Sequence, residues 1–399
     1  MEAFERVAVV GGCGHVGLPL GLALADRGHQ VVLVDVNAAV VASVNAGQMP
    51  FLERGGEALL ARVLEAKRLR ATTDARAVAE ADAVVLVTGT PVDEHLNPNV
   101  GQLDRVVDGY LPHLKPGQLV VLRSTVYPGT TERLAARLAA RGLAVDVAFC
   151  PERIAQGFAL EESARLPQIV SGATPRAAER ARELFQGLAA KTIELSPMEA
   201  ELAKLFTNSW RYLAFAASNQ FFEIATDHGL DFHRIYDAMI EDYPRMKGFA
   251  RPGFAAGPCL FKDTMQLAAF SSNSFFLGHA AMLVNEGLPN FLVEKLREKL
   301  PLREKTVGIL GMAFKADNDD CRESLSYKLR KVLAWEAKAV LCSDPFVADS
   351  TFVSAEELVR QSDVVVLGVP HSAYRGIDLQ GRLAVDVWNF WGTQNGGKA

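Results

Sequence analysis

The sequence has no surplus of positive charge. Its 42 Lys and Arg stand against 47 Asp and Glu, a formal net charge of −5. Nucleic acid is met by a basic footprint, so it is excluded as the main ligand, and an anionic substrate has to be met by a few local Lys and Arg. Long apolar runs are lacking too. None approaches the roughly 20 residues that span a bilayer, so no membrane partner is expected. Cysteine is sparse: Cys13, Cys150, Cys259, Cys321 and Cys342. The number is odd and no pair has metal-ligand spacing. Neither a disulfide framework nor a metal site is expected, and a reducing cytoplasm is the expected compartment. A strand-like run begins within a few residues of Met1, which leaves no room for a signal peptide. Repeats and low-complexity segments are lacking as well; only 396–399 reads as a loose tail.

What is there is a chain of 399 residues, 49% of them apolar, enough for two or three separate cores. A β-rich run at 7–10 is followed by glycines, a helical pattern over 16–27, the breaker Gly28, and a second run at 31–34 ending in Asp35. This is a βαβ unit. Further strand-like runs at 83–87, 118–122 and 144–149 alternate with helical stretches, which reads as a parallel sheet covered on both faces. The character changes near Pro197. Residues 199–247 have helical periodicity, 248–258 is an irregular Pro/Gly stretch, and 264–300 is helical again. Strand-like runs return at 306–310, 339–342, 364–368 and 383–387. The expected fold class is α/β: an N-terminal Rossmann doubly wound sheet (1–197), a central all-helical domain (198–302) and a smaller C-terminal Rossmann-like α/β domain (303–399).

Gly12-Cys-Gly14-His15-Val16-Gly17 matches G-x-G-x-x-G. The pattern is weak alone. Here it follows a strand, opens a helix and precedes an acidic residue at the end of the next strand. The first glycine permits the tight turn, the second lets a pyrophosphate approach the backbone, and the third lets helix and strand pack. Asp35 would accept hydrogen bonds from ribose hydroxyls and repel a 2′-phosphate, so NAD is expected over NADP. Thr88-Gly89-Thr90-Pro91 and the 123–129 segment, with Thr125, also follow strands, where ligands of open α/β sheets sit.

Cys259 lies between a Gly-Pro turn and Lys262-Asp263, just before a helical stretch. A helix N-terminus and a nearby ammonium both favour the reactive thiolate. Lys204 and Asn208 are four apart, on one face of a helix, where two donors could meet an oxyanion. Glu152 follows a strand end and could act as a base or hold a water. Lys315 follows a later strand, and Arg322 opens the next helix; both could meet phosphates. Each of these has an ordinary reading as a surface charge, a helix cap or an inert buried thiol.

Together, the 12–17 loop, Ser124-Thr125-Val126, Pro151-Glu152, Lys204 with Asn208, Cys259 with Lys262-Asp263, and Phe314-Lys315 with Arg322-Glu323-Ser324 resemble the UDP-glucose/GDP-mannose 6-dehydrogenase family, in order and over nearly the whole chain. The resemblance implies an NAD-binding domain, a central helical domain that dimerises and a C-terminal nucleotide-sugar-binding domain. It implies oxidation of a sugar C6 alcohol to the carboxylate with two NAD, a role in polysaccharide biosynthesis, and a homodimer or higher homo-oligomer.

By position it assigns Cys259 as nucleophile, Lys204 and Asn208 to oxyanions, and Asp263 to water with Thr125 nearby. Glu152 assists thioester hydrolysis. NAD contacts are implied for the glycine loop with His15 and Val16, for Asp35, for 88–91, and for Thr125, Gln156 and Arg322. Substrate contacts are implied for Glu152, Lys204, Asn208 and Lys315, and for Phe249, Gly253, Phe254 and Gly257 of the 249–257 loop. Arg245 is implied to reach a neighbouring subunit's site.

The chemistry follows without the family. A second oxidation at one carbon needs a way to hold the aldehyde, and a thiol adduct is both a hydride donor and the precursor of a thioester open to water.

The sequence departs from the family's common pattern at Ala256 (glycine elsewhere), at His15 (tyrosine elsewhere) and at 386–389, which lacks an arginine. Residues 207–227 look closer to the N-acetylhexosamine branch, while Lys262 after Cys259 is the lysine of the glucose and mannose branches; UDP-N-acetylmannosamine or a related UDP-N-acetylhexosamine is expected, with UDP-glucose next. Two other readings stay open. A two-domain 3-hydroxyacid dehydrogenase would yield one NADH per substrate and need no Cys259. A non-catalytic nucleotide-sugar-binding protein would bind and yield none.

Overall fold

Short β-branched runs buried on both faces pair in parallel, as continuous apolar strands do. A computed structural model describes residues 4–89, 92–93, 99–254 and 257–392. The chain divides into two compact units, Met1–Thr207 and Asn208–Ala399. The boundary falls within the 31-residue helix Pro197–Asp227.

The first unit is built on β1 (Arg6–Val10), β2 (Gln30–Val34), β3 (Leu69–Thr72), β4 (Ala83–Leu86), β5 (Leu119–Leu122), β6 (Asp146–Phe149), β7 (Gln168–Gly172) and β8 (Thr192–Glu194). They form one sheet in the order β3-β2-β1-β4-β5-β6-β7-β8. Its first six positions are the doubly wound dinucleotide-binding order. Val7 pairs with both Val31 and Ala83, so β1 is central. Alternate residues feed opposite cores. Val7, Val9, Leu33 and Val85 join one, and Ala8, Val10, Val34 and Val84 the other. The sheet is not parallel throughout: β7 runs antiparallel to β6. β3, β7 and β8 are strands that the sequence reading did not anticipate. Their compositions (Leu-Arg-Ala-Thr, Gln-Ile-Val-Ser-Gly and Thr-Ile-Glu) carry too little apolar signal.

The second unit holds the rest of the long helix, then Phe232–Ile240, Leu260–Phe270 and Phe276–Lys299. Its sheet comprises β9 (Thr306–Leu310), β10 (Ala339–Ser343), β11 (Val364–Leu367) and β12 (Leu383–Val385), all parallel, ordered β10-β9-β11-β12. Helix Phe276–Lys299 packs on Leu325–Glu336, burying Leu288, Leu292 and Leu296 with Leu329 and Leu333. No helix among the described residues is long and apolar enough to cross a membrane.

Candidate active site

In the first unit the glycine loop leaves β1 through Gly11, whose φ is +70° and whose N–H donates to Val34 O at 2.8 Å. A Cβ on Gly12 would stand 2.5 Å from Val9 O, and one on Gly17 would stand 2.3 Å from Gly11 O. Both positions are closed by packing. At Gly14 the nearest atom would be 3.8 Å away, so the protein itself leaves space there. Helix Gly17–Asp26 starts with no side-chain cap and no acidic residue in its first turn, an N-terminus suited to an anion. The left-handed residue is Gly11, outside the motif as read; the adjacent glycines were its only signal.

Asp35 sits at the end of β2. One carboxylate oxygen accepts from Cys13 N–H at 3.0 Å and the other from Asn37 N–H at 3.1 Å. Those bonds orient it toward the loop and leave lone pairs for further donors. His15 stacks on Phe51 with ring centroids 4.1 Å apart. Thr88 N–H donates to Ser124 Oγ at 2.6 Å, tying the segments after β4 and β5 together beside Gly89 and Thr125. Thr90 and Pro91 lie outside the described residues. Gln156 is in a turn whose Gly157 O accepts from Arg54 N–H at 3.2 Å.

Glu152 is more constrained than its sequence suggests. The buried Arg123 donates to it, and so do the backbone N–H groups of Arg153 (2.7 Å) and Ile154 (3.1 Å). Arg123 also donates to Cys150 O at 3.0 Å and Gln168 Oε1 at 2.7 Å. In the sequence Arg123 is only one residue of the 123–129 loop segment, because a buried partner of a distant glutamate carries no local pattern.

In the second unit Cys259 is the N-cap residue of helix Leu260–Phe270, and it is exposed. The helix N-terminus favours negative charge on the sulfur. Three other thiols are held neutral. Burial pushes Cys13 and Cys150 up to about 12, with Asp35 adding to the effect at Cys13, and burial pushes Cys342 up to about 11.

One turn on, Asp263 is fully buried. Its Oδ2 accepts from Asn208 Nδ2 at 2.6 Å and its Oδ1 lies 3.1 Å from Lys262 Nζ. Asp263 N–H donates to Cys259 O at 2.9 Å. Asn208 and Asp263, 55 positions apart in sequence, thus meet next to the thiol's helix turn. Lys204, one turn before Asn208 on helix Pro197–Asp227, is also buried. Arg322, exposed, grips the buried Asp320 with two bonds at 2.9 and 2.7 Å and lies within electrostatic range of Cys259.

The 249–257 loop is anchored from within. Gly253 N–H donates to Asn219 Oδ1 at 2.8 Å, and Asn219 Nδ2 donates back to Gly253 O at 3.1 Å. A Cβ on Gly253 would stand 2.3 Å from the Trp388 ring. Phe254 is buried among Leu288, Leu292 and Val307, and Phe249 stacks on Tyr236 at 5.6 Å. Gly257 adopts φ +104° with the Phe314 ring where its Cβ would be. Lys315 follows Phe314 in the turn after β9. Arg245 is exposed on a short turn of 3-10 helix, its guanidinium 5.5 Å from the Tyr243 ring. Asn219 and its buried partner Asn285 went unread, because mid-helix asparagines carry no sequence mark of burial.

Comparison with known proteins agrees with this arrangement. Three domains of the UDP-glucose/GDP-mannose dehydrogenase family match: the NAD binding domain over residues 5–189, the central domain over 198–286 and the UDP binding domain over 308–393. The chain is 29% identical to a UDP-N-acetyl-D-mannosamine dehydrogenase of Pyrococcus horikoshii, covering 94% of this chain and 91% of that one. It is 28% identical to an NDP-N-acetyl-D-galactosaminuronic acid dehydrogenase of Ralstonia nicotianae, covering 97% and 96%. The solved structure of a UDP-glucose dehydrogenase from Pyrobaculum islandicum superposes with a TM-score of 0.89 at 29% identity, covering 97% and 95%. The chain belongs to the UDP-glucose/GDP-mannose dehydrogenase family and is an NAD-dependent nucleotide-sugar dehydrogenase.

Proposed function

We propose that this enzyme oxidises C6 of a UDP-N-acetylhexosamine, UDP-N-acetylmannosamine first among them, to the uronic acid, with Cys259 as covalent nucleophile. The observation that carries it is the exposed Cys259 at the N-cap position of a helix whose first turn buries Asp263 between Asn208 and Lys262. The relatives named for N-acetylated sugars support the choice of sugar.

The first unit fits NAD. Gly14 is open where Gly12 and Gly17 are closed, the helix behind it is uncapped, and Asp35 faces the loop. NAD, when bound, accepts one hydride from C6 in each of two oxidations. Asp263, with Asn208, orients the water that takes the C6 hydroxyl proton as the aldehyde forms. The Cys259 thiolate then adds to the aldehyde carbon, and Lys204 and Asn208 donate to the oxyanion. Loss of the second hydride from that adduct leaves a thioester. Water attacks it, the C–S bond breaks, the thiolate leaves, and the protons of the attacking water pass to solvent. Glu152, oriented by Arg123, assists that hydrolysis through water. The balance is one alcohol, two NAD and one water to one carboxylate, two NADH and three protons.

The sequence division at 197 and 302 is retained as a functional one: cofactor, helical dimerisation and nucleotide-sugar domains. Trp210, Phe221, Ile224 and Leu230 are large apolar side chains exposed on the helical stretch, and their cover by a second copy favours a two-fold homodimer. A cytoplasmic biosynthetic role, in supplying uronic acids for polysaccharide, suits a mechanism that needs Cys259 in its reduced form.

A panel of UDP- and GDP-sugars with NAD tests the reading. Two NADH per UDP-N-acetylmannosamine are expected; one per substrate would overturn it. Asp35→Ala is expected to lower the NAD-over-NADP ratio of kcat/KM by about tenfold, the worth of one charge-assisted contact. An unchanged ratio would remove Asp35 from the ribose. Arg245→Ala is expected to raise the nucleotide-sugar KM by about tenfold. An unaltered KM would mean that this arginine reaches no site.

A further inference from the structure

The chain contains the same strand-end device twice. In the first unit Gly11 donates to the last residue of β2, and Asp35, next along, accepts from the loop. In the second unit Gly311, at φ +94°, donates to Ser343 O, the last residue of β10, at 2.9 Å, and Asp344 is next along. The two aspartates differ in what they hold. Asp35 carries two backbone bonds and is partly exposed. The Asp344 side chain is fully buried and takes five donors. Met312 and Ala313 N–H reach Oδ2 at 2.6 and 2.9 Å, and Phe346 and Val347 N–H reach Oδ1 at 2.8 and 3.0 Å. The fifth is His371 Nε2, 3.0 Å from Oδ2. Burial would raise the Asp344 carboxyl, but the His371 bond and the backbone donors bring it down to about 2, so it stays ionised.

The other ring nitrogen of His371 is assigned by its partner. Asp317 N–H donates to Nδ1 at 2.9 Å, so Nδ1 is bare and the proton sits on Nε2, toward Asp344. Asp317 is left-handed, at φ +52°, a conformation that a non-glycine residue keeps only when its surroundings hold it. Its Oδ1 accepts from Ser372 N–H at 2.8 Å and Ser372 Oγ at 2.9 Å. The turn from Phe314 to Asp317, which carries Lys315, is therefore pinned at one end to 371–372. At the other end the Phe314 ring fills the space above Gly257, 2.6 Å from where a Cβ would be, and Gly257 is two residues before Cys259. Phe346 and Tyr374 rings, 5.1 and 5.5 Å from the imidazole, line it on two sides.

We propose that His371, locked by Asp344, is a positioning residue for the nucleotide sugar: through Asp317 it sets the Phe314–Lys315 turn against the loop that precedes Cys259. This rests on the reading that Lys315 meets the substrate's diphosphate. His371, fully buried, acts through the turn.

The test uses the full chain and calorimetric titration of UDP and, separately, of NAD. His371→Leu is expected to weaken UDP about tenfold and leave NAD within about twofold, while His371→Gln, which keeps one donor and one acceptor, recovers most of the loss. Equal weakening of both ligands, or UDP affinity unchanged in a folded His371→Leu, would overturn the proposal. Should that variant not fold, Asp317→Gly decides. It tolerates the left-handed φ but lacks the Ser372 anchor, and unchanged UDP affinity there would likewise overturn it. Lys315→Ala separates the two levels. If it leaves UDP affinity intact, the reading of Lys315 falls; if it weakens UDP while His371→Leu does not, only the positioning role falls.

Discussion

Cys259→Ser is expected to reduce uronic acid formation by at least about a thousandfold, because a hydroxyl offers almost no anion near neutral pH. The substitution keeps size at an exposed helix N-cap position, so stability should stay within about 0.5 kcal/mol. The first hydride transfer does not use the thiol. The variant should therefore give at most one NADH per sugar where the wild type gives two. Continuous NADH absorbance, product analysis and a thermal melt measure all three. Wild-type-like formation of the acid would remove Cys259 from the mechanism, and with it the reason for a second oxidation at the same carbon. None of Cys13, Cys150 and Cys342 is a ready substitute, since burial holds all three as thiols.

Asp263→Asn is expected to be the next most damaging change, and on two axes. The carboxylate is wholly buried with an ammonium 3.1 Å from one oxygen and an amide donor 2.6 Å from the other. An amide of the same shape removes the charge and turns an N–H₂ group toward Lys262 or toward Asn208. Breaking one partner of a buried pair costs about 3 kcal/mol, because the remaining charge is left uncompensated. Loss of the carboxylate that orients the proton-accepting water lowers kcat by about a hundredfold or more. Denaturant unfolding and steady-state kinetics separate the two effects. A kcat within threefold of wild type would show that Asp263 only braces the helix. A lowered kcat at unchanged stability would show that the pair is held for chemistry alone.

The parts of the site that were legible in the sequence are those whose physics is local. Gly12, Gly14 and Gly17 with Asp35 form a pattern because turn, helix start and strand end follow each other along the chain. Cys259 was distinguishable from the other four thiols because a Gly-Pro turn before it and Lys262-Asp263 after it already imply a helix start. Lys204 and Asn208 share a face because four residues make about one helical turn. The less legible parts depend on pairing across sequence. Arg123 and Glu152 are 29 residues apart, Asn208 and Asp263 are 55 apart, and His371 meets Asp317 across 54. A histidine after a strand looks the same whether it faces solvent or holds a left-handed aspartate.

The sequence by itself determined the α/β class, the glycine loop and its acidic partner, and the helical middle. Each of these follows from interactions within a few residues of chain, where periodicity and turn chemistry leave a readable trace. Only the tertiary structure decided that β7 turns antiparallel, that Glu152 is clasped by Arg123, that Phe254 is core, and that Asp344 is spent on His371 while Asp35 keeps lone pairs to offer. Those outcomes turn on which distant groups are brought to one place and sealed from water. Burial sets the worth of a charge or hydrogen bond, and burial is a property of the packed chain, not of any segment of it.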